Sequence, residues 1–325
     1  MSTMLILRHI RIQNANALSS PYTIGFPAMT AWFGFTHALQ RKLRDKGFAV
    51  EFDGTGVVSH NMALQTYKGP NDFVASIIGT GNPLEPKSEK DNAQNAVRPS
   101  FIEEARCHLD VSLVIAVTGL SVDERDAFCT TVKKLLTGSM KIAGGDIFEF
   151  YAPAVVNIND TDSVEVARLF RSLMPGYALI ERRELMQQAM ESGQDALDAM
   201  LDYLAVHHHC HKDDDGKVTW SSARQSAPLP AVDIDDEPQP TGWIVPVAVG
   251  FQGLTPLAES LNRRDTDTPH RFAESVVTLG EFRMVYRLNS IGQLLWHYHY
   301  EEANALYLCE QRNAAHVHID DSDLY

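Results

Sequence analysis

The chain has 325 residues, enough to bury a large apolar core, so it needs neither a disulfide network nor a metal ion in order to fold. Its four cysteines form no CxxC pair, which excludes a zinc ribbon, and no apolar run is long enough to cross a bilayer. The formal net charge of −14 argues against a free-standing nucleic-acid-binding protein, because such binding depends largely on neutralising phosphates. Since the N-terminus also lacks a signal-peptide cleavage site, we predict a soluble cytoplasmic protein.

The charge is unevenly distributed along the chain. Residues 1–50 contain six lysines and arginines but a single acidic residue, which gives this segment a charge of +5 and the remainder −19. Such a basic N-terminal segment on an acidic body is expected of a protein that contacts a polyanion at one place and protein partners elsewhere.

The N-terminal segment is predicted to form a strand, a loop and a helix. Alternation over residues 5–13 places side chains on two faces of a strand, Ile6, Arg8, Ile10 and Ile12 on one and His9, Arg11 and Gln13 on the other. Residues 14–26 are predicted to form a polar loop. Residues 27–46 repeat apolar side chains every three or four positions and end in a run of cations before Gly47, a pattern typical of an amphipathic helix. A basic, amide-bearing strand beside a helix N-terminus is suited to an anion or a nucleic-acid backbone.

The residues up to 150 continue as a β-α-β-β-α-β series. Strands are predicted at 49–62, 108–117 and 140–150, and a helix at 121–136 opened by a capping box of Ser121 and Glu124. RNA-recognition modules use this ferredoxin-like order. We therefore predict an α+β fold with an RRM-like (ferredoxin-like) core over residues 1–150. The long connection at about 63–107 is expected to project from it as a hairpin.

The second half, residues 151–325, is predicted to be a mixed region of helices and strands packed on that core. Helices are expected at 163–174, 182–192 and 195–208, strands at 176–181 and 242–257, and an acidic, proline-rich surface loop at 212–241.

Several stretches of the chain together resemble one protein family. RIQNANA, SSP, GFP and the helical GFTHALQR are similar to the N-terminal signature of the Csy-two family. The resemblance continues through EEARCHLDVSLVIAV, MKIAGGDIF, MPGYALIERREL, GWIVPVAVGFQGLTPL and RRDTDTPHRF, over nearly the whole chain. This family is the Cas-five-type subunit of the type I-F CRISPR Csy surveillance (Cascade) complex and belongs to the RAMP superfamily.

The resemblance implies a RAMP fold with an RRM-like core and a thumb hairpin, and a non-catalytic role, because another subunit cuts the RNA in this family. The implied partners are the 5′ handle of the CRISPR RNA (crRNA), a large Cas-eight-type subunit as a heterodimer, an adjacent Cas-seven-type backbone subunit, and foreign double-stranded DNA bound by the whole complex. We expect no catalytic residue, no cofactor, no metal and no membrane contact.

The predicted RNA-binding residues lie in the N-terminal segment. Arg11 and Arg41 are expected to neutralise handle phosphates, and Gln13, Asn14 and Asn16 to read base edges. A base can stack on Phe26 or Trp32, although Trp32 belongs to the apolar stripe of the helix. The remaining predicted contacts are Ser19, Ser20 and the N–H groups around Gly25 to Ala28, which suit a phosphate at the helix start, together with His9, Thr30, His37 and Arg44. A second basic group, Arg263, Arg264 and Arg271, is expected to contact RNA or the large subunit.

Two alternatives of a different class stay open. His9 and His37 can act as acid and base in RNA cleavage, and RAMP folds include endoribonucleases. His207 and His211 have the spacing of a helical zinc pair, which would fit a metal-dependent hydrolase, but no HExxH glutamate lies between them.

Overall fold

The computed structural model describes residues 2–78, 104–212, 217–224, 243–258, 265 and 267–312. The fold of these residues is α+β. The helices are α1 Met29–Arg44, α2 Arg125–Gly138, α3 Ser163–Ser172, α4 Arg183–Glu191 and α5 Ala196–Leu204. The strands of the first half are β1 Ser2–Asn16, β2 Leu18–Ser20, β3 Thr23–Ile24, β4 Glu51–Leu64, β5 Thr66–Tyr67, β6 Ser76–Ile77, β7 Arg106–Thr118, β8 Lys141–Ile142 and β9 Gly145–Glu149. Those of the second half are β10 Ala154–Ile158, β11 Tyr177–Glu181, β12 Val206–Lys212, β13 Val218–Arg224, β14 Trp243–Gly253, β15 Ala273–Met284, β16 His297–Glu301 and β17 Leu306–Glu310.

One antiparallel sheet dominates the structure. Its strands follow the order β16-β17-β14-β15-β11-β4-β7-β1-β9-β8, and β10 also pairs with β1. Along the chain, β1, α1, β4, β7, α2 and β9 occur in the predicted β-α-β-β-α-β order. Because β11 pairs with β4, strands of the second half extend the sheet of the first half. The predicted domain boundary at residue 150 therefore falls within one continuous sheet and stays a prediction.

Apolar clusters cover both faces of this sheet, and a smaller one packs α4 against β14 and β15. On one face, here called the α1 face, Trp32 of α1 and Phe128 of α2 pack over the strands. On the opposite face, here called the α3 face, Leu169 and Phe170 of α3 pack with residues that follow β15. The α3 cluster covers only the end of the strands that contains Met4 and Ile158. The other end of the α3 face carries the exposed polar side chains described below.

A bulge in β1 changes which side chains share a face. The register of β1 against β7 shifts between Leu7 and Ile10, and His9 adopts a left-handed φ of +49°. Ile10 and Ile12 pack on the α1 face, whereas Ile6 packs on the α3 face. The prediction that these three isoleucines share one face is wrong, because the additional residue of the bulge reverses the alternation.

Several predicted elements are confirmed with altered bounds, and others differ. The helix predicted at 27–46 is α1, with Gly47 just beyond it at a φ of +95°. The predicted loop 14–26 contains the β2–β3 hairpin, and the strand predicted at 140–150 is the β8–β9 hairpin, which turns at Ala143 and Gly144. Within the predicted loop 212–241, residues 218–224 form β13, which pairs with β12, while 213–216 and 225–241 lie outside the described residues.

The predicted thumb is described only at its base. β4 ends at Leu64, and β5 pairs with β6 directly after it. Residues 79–103 lie outside the described part of the chain, so the projecting hairpin stays a prediction. Among the described helices, none combines the length and apolar composition needed to cross a membrane.

Candidate nucleic-acid interface

The exposed end of the α3 face carries the predicted RNA-binding residues of β1. Arg11 projects beside Glu149 of β9, with Nη1 2.9 Å from Oε2, and the two side chains are 64% and 57% exposed. Gln13 is exposed two residues further along the strand. The bulges of β1 therefore place a cation and an amide on the same open surface.

Asn14 lies in a second bulge of β1, with a φ of +60°. Its N–H donates to Nδ1 of His108 over 3.2 Å, and its Oδ1 accepts from Nε2 of Gln65 over 3.3 Å. Gln65 comes directly before β5, at the base of the predicted thumb. No spacing pattern in the sequence marks His108 or Gln65, because only the pairing of β4, β7 and β1 brings them to Asn14.

His9 lies on the same face in a group of interacting side chains. Its Nδ1 is 3.1 Å from Oδ1 of Asp110, and its backbone N–H donates to Oγ of Ser112 over 3.0 Å. The His9 ring stacks on His60 with centroids 4.1 Å apart, and Tyr151 packs against it at 4.9 Å. Burial is the main cause that lowers the pKa of His60.

The hydroxyl groups of the β2–β3 hairpin bond mainly to one another. Thr23 Oγ1 lies 2.9 Å from Ser19 Oγ and 2.7 Å from Ser20 Oγ, and the N–H of Gly25 donates to Ala17 O over 2.8 Å. The Asn16 amide bonds to both backbone groups of Leu18. These groups stabilise the hairpin, so the predicted phosphate site at Ser19, Ser20 and Gly25 would have to compete with existing hydrogen bonds.

A cleft of about 420 Å³ lies between the β2–β3 hairpin and β14, where β4 continues beyond the start of β11. The exposed rings at this cleft are Tyr177 and Trp243, which are 41% and 61% exposed. The predicted stacking residues are buried instead. Trp32 is fully enclosed, and Phe26 is 6% exposed against Trp32 and Phe282. The core position of Trp32 agrees with its place on the apolar stripe of the helix, and Phe26 offers a base little free ring surface.

The helical half of the predicted site lies across the sheet from the β1 half. Thr30, His37, Arg41 and Arg44 belong to α1, which packs on the α1 face. The His37 ring packs edge-on against Tyr298 at 4.5 Å, and burial followed by the charge of Arg41 lowers its pKa. His9 lies on the α3 face, so the structure does not bring it together with His37. The predicted acid–base pair of an endoribonuclease is therefore not formed.

The remaining predicted groups are the histidine pair and the second basic group. His207 and His211 belong to strand β12 rather than to a helix, and residues four apart in a strand are about 13 Å apart. The predicted helical zinc pair is therefore wrong. Arg263 and Arg264 lie outside the described residues, and Arg271 is half-buried beside Gly253.

Comparison with known proteins identifies the class and then the family. The chain is a CRISPR-associated protein: the family described as "CRISPR-associated protein (Cas_Csy2)" matches residues 5–309. "CRISPR-associated protein Csy2" of Pseudomonas aeruginosa (strain UCBPP-PA14) is 34% identical over 319 residues, which cover 94% of this chain and 94% of that protein. The chain belongs to the Csy2 family of type I-F CRISPR systems, and the resemblance found in the sequence is confirmed.

Proposed function

We propose that the chain is a non-catalytic subunit of the type I-F CRISPR Csy surveillance complex and that it holds the 5′ handle of the crRNA. The observation that carries the proposal is the family match from residue 5 to residue 309. The antiparallel neighbours β9, β1, β7 and β4, with α1 and α2 on one face, support an RRM-like RAMP core.

The proposed handle interface is the exposed end of the α3 face. Single-stranded RNA is recognised through splayed bases that stack on aromatic rings and hydrogen-bond along their edges. Gln13, Asn14 and Gln65 offer amides for base edges, and Arg11 offers a cation for a phosphate. Tyr177 and Trp243, which are exposed at the cleft beside Phe26, lie on the same side of the sheet as Leu179 and Phe282, so they are not assigned to this interface.

The cations of α1 form a separate surface in this proposal. Arg41 is exposed, whereas Arg44 already donates to the Val50 carbonyl and to Glu51, each over 3.1 Å. An RNA end bound at Arg11 can reach these groups only by passing around the sheet. We assign α1 and the acidic remainder of the chain to protein partners, namely the large subunit and the adjacent backbone subunit, through which the assembly binds foreign double-stranded DNA.

The first test is to isolate the tagged full-length chain from its native cells and to sequence the nucleic acid that accompanies it. We expect short RNAs that share one repeat-derived 5′ end, together with a large subunit and several copies of a backbone subunit. Absence of RNA and of partners, in cells that express CRISPR transcripts, would contradict the proposed function.

The second test locates the RNA on the chain. In the assembled complex, Arg11→Ala is expected to weaken binding of handle RNA and to reduce the slope of log affinity against log salt by about one phosphate contact. Arg41→Ala is the matched comparison, since it removes the same charge from the opposite side of the sheet and is expected to leave the slope unchanged. The reverse result would move the handle to α1.

A further inference from the structure

We propose that His9, His60 and Asp110 form a binding site for one divalent transition-metal ion, with Zn²⁺ as the ion that suits the donor set best. The residues come from β1, β4 and β7, and one ligand atom from each lies within 4.8 Å of the other two. Two imidazoles and one carboxylate are a common set of protein ligands for zinc. The inference rests on these three side chains and does not depend on the proposed RNA role.

His60 is held in the tautomer that a metal ligand requires. Its Nδ1 lies 2.6 Å from the carbonyl oxygen of Pro175, which only accepts hydrogen bonds, so Nδ1 carries the proton. The lone pair of Nε2 is therefore available, and it now accepts from the Ser112 hydroxyl over 2.7 Å. Histidines that bind metals usually donate their other ring N–H to a carbonyl or carboxylate in this way.

His9 and Asp110 are already spaced as two ligands of one ion. Nδ1 of His9 lies 3.1 Å from Oδ1 of Asp110, and adjacent ligands of a tetrahedral zinc ion with bonds of about 2.0 Å are about 3.3 Å apart. An ion would take the place of the proton between these atoms. Because the three ligand atoms lie within 4.8 Å of one another, the His60 nitrogen needs a shift of at most about 1.5 Å to reach the same spacing, and Ser112 would release it.

The backbone and the solvent exposure of the cluster agree with a ligand site. The left-handed φ of His9 is costly for a residue with a side chain, and such strained conformations concentrate at functional sites. The side chains of His9 and Asp110 are 25% and 23% exposed, so an ion can enter from the open part of the α3 face. Three protein ligands leave a fourth position for water or for a phosphate oxygen.

The test must separate this cluster from the histidine-rich strand β12. The background variant therefore carries His207, His208, His209 and His211 changed to Gln and Cys210 changed to Ser in the full-length chain. Zn²⁺ is titrated against a chromophoric chelator without RNA, and Co²⁺ absorption reports the coordination geometry. His60→Gln and Asp110→Asn are added singly. His299→Gln is the matched control, because His299 also faces a carboxylate, with Nδ1 3.2 Å from Glu310, but belongs to no group of three ligand-spaced side chains among the described residues.

We expect the background variant to bind one Zn²⁺ per chain and to show tetrahedral Co²⁺ absorption. His60→Gln and Asp110→Asn are each expected to lower the affinity at least tenfold, with unchanged circular dichroism, and His299→Gln is expected to have no effect. Lack of stoichiometric Zn²⁺ in the background variant would overturn the proposal, as would equal affinities in all three added variants. If His60→Gln fails to fold, the nearly isosteric Asp110→Asn and the Co²⁺ spectrum decide the question.

Discussion

The guanidinium of Arg182 and the carboxylate of Glu281 form a buried ion pair between the residue before α4 and the middle of β15. The two side chains are 7% and 3% exposed, and Glu281 also accepts hydrogen bonds from Arg283 over 3.1 and 2.9 Å. Glu281→Gln would remove one of the two carboxylates that pair with the buried Arg182, the other being that of Glu184, so we expect the free energy of unfolding to fall by about 2 kcal/mol. Urea denaturation of the purified chain measures this loss.

The matched control for this substitution is Glu149→Gln. Glu149 also pairs with an arginine, Arg11, but both side chains are more than half exposed. Because water screens exposed ion pairs, we expect a loss of less than about 1 kcal/mol. Equal losses in the two variants would show that burial of the Arg182–Glu281 pair contributes nothing.

The same buried carboxylate predicts acid sensitivity. Burial by itself would raise the pKa of Glu281, but hydrogen bonds and charges from Arg283 and Arg182 outweigh it and hold the pKa below the ordinary value of 4.5. A carboxyl group with a lowered pKa stabilises the folded state above its unfolded pKa, and this stabilisation is lost as the pH falls through the folded pKa. Denaturation at several pH values is expected to show that the free energy of unfolding decreases as the pH falls below about 4.5. The decrease is expected to be smaller in Glu281→Gln. Parallel pH profiles would contradict this assignment.

A methyl group at Gly250 would disrupt the pairing of β14 with β17. Its carbon would lie 2.0 Å from the carbonyl oxygen of Tyr307, and a backbone atom cannot move aside as a side chain can. We therefore expect Gly250→Ala to destabilise the chain by about 2 kcal/mol, measured by thermal or urea unfolding.

Gly34 in α1 is the control for Gly250, because an alanine at Gly34 is expected to stabilise the chain. A methyl group there would meet no described atom within 4 Å, so Gly34→Ala adds helix propensity without a clash. The free energy of unfolding is expected to rise by about 0.5–1 kcal/mol. If Gly34→Ala weakens assembly of the complex while it stabilises the isolated chain, a partner subunit packs closely against α1 at Gly34. Destabilisation of the chain would contradict the prediction.

Glu149 limits the charge that Arg11 offers to RNA. Removing the carboxylate 2.9 Å from Arg11 frees the guanidinium for a phosphate. Glu149→Gln is therefore expected to raise the affinity of the complex for handle RNA by roughly two- to tenfold and to steepen its salt dependence. Fluorescence anisotropy at several salt concentrations checks both. Unchanged or weaker binding would place the RNA away from Arg11.

Features that depend on neighbouring residues could be predicted from the amino-acid sequence alone. The apolar repeat from Ala28 to Leu43 specifies α1, because side chains three and four positions apart share a helix face. The local motifs were sufficient to identify the family, and the order of periodic segments predicted the β-α-β-β-α-β series. These signals are local, so a single sequence contains them in full.

Which side chains contact one another depends on the folded arrangement of distant segments. The bulge at His9 reverses the alternation of β1, and the pairing of β1, β7 and β4 brings His9, Asp110 and His60 together across about one hundred residues of chain. The same sheet separates His9 from His37. A bulge and a strand register are stabilised by hydrogen bonds between distant segments and by burial of one face, and neither is encoded in the spacing of residues along one strand.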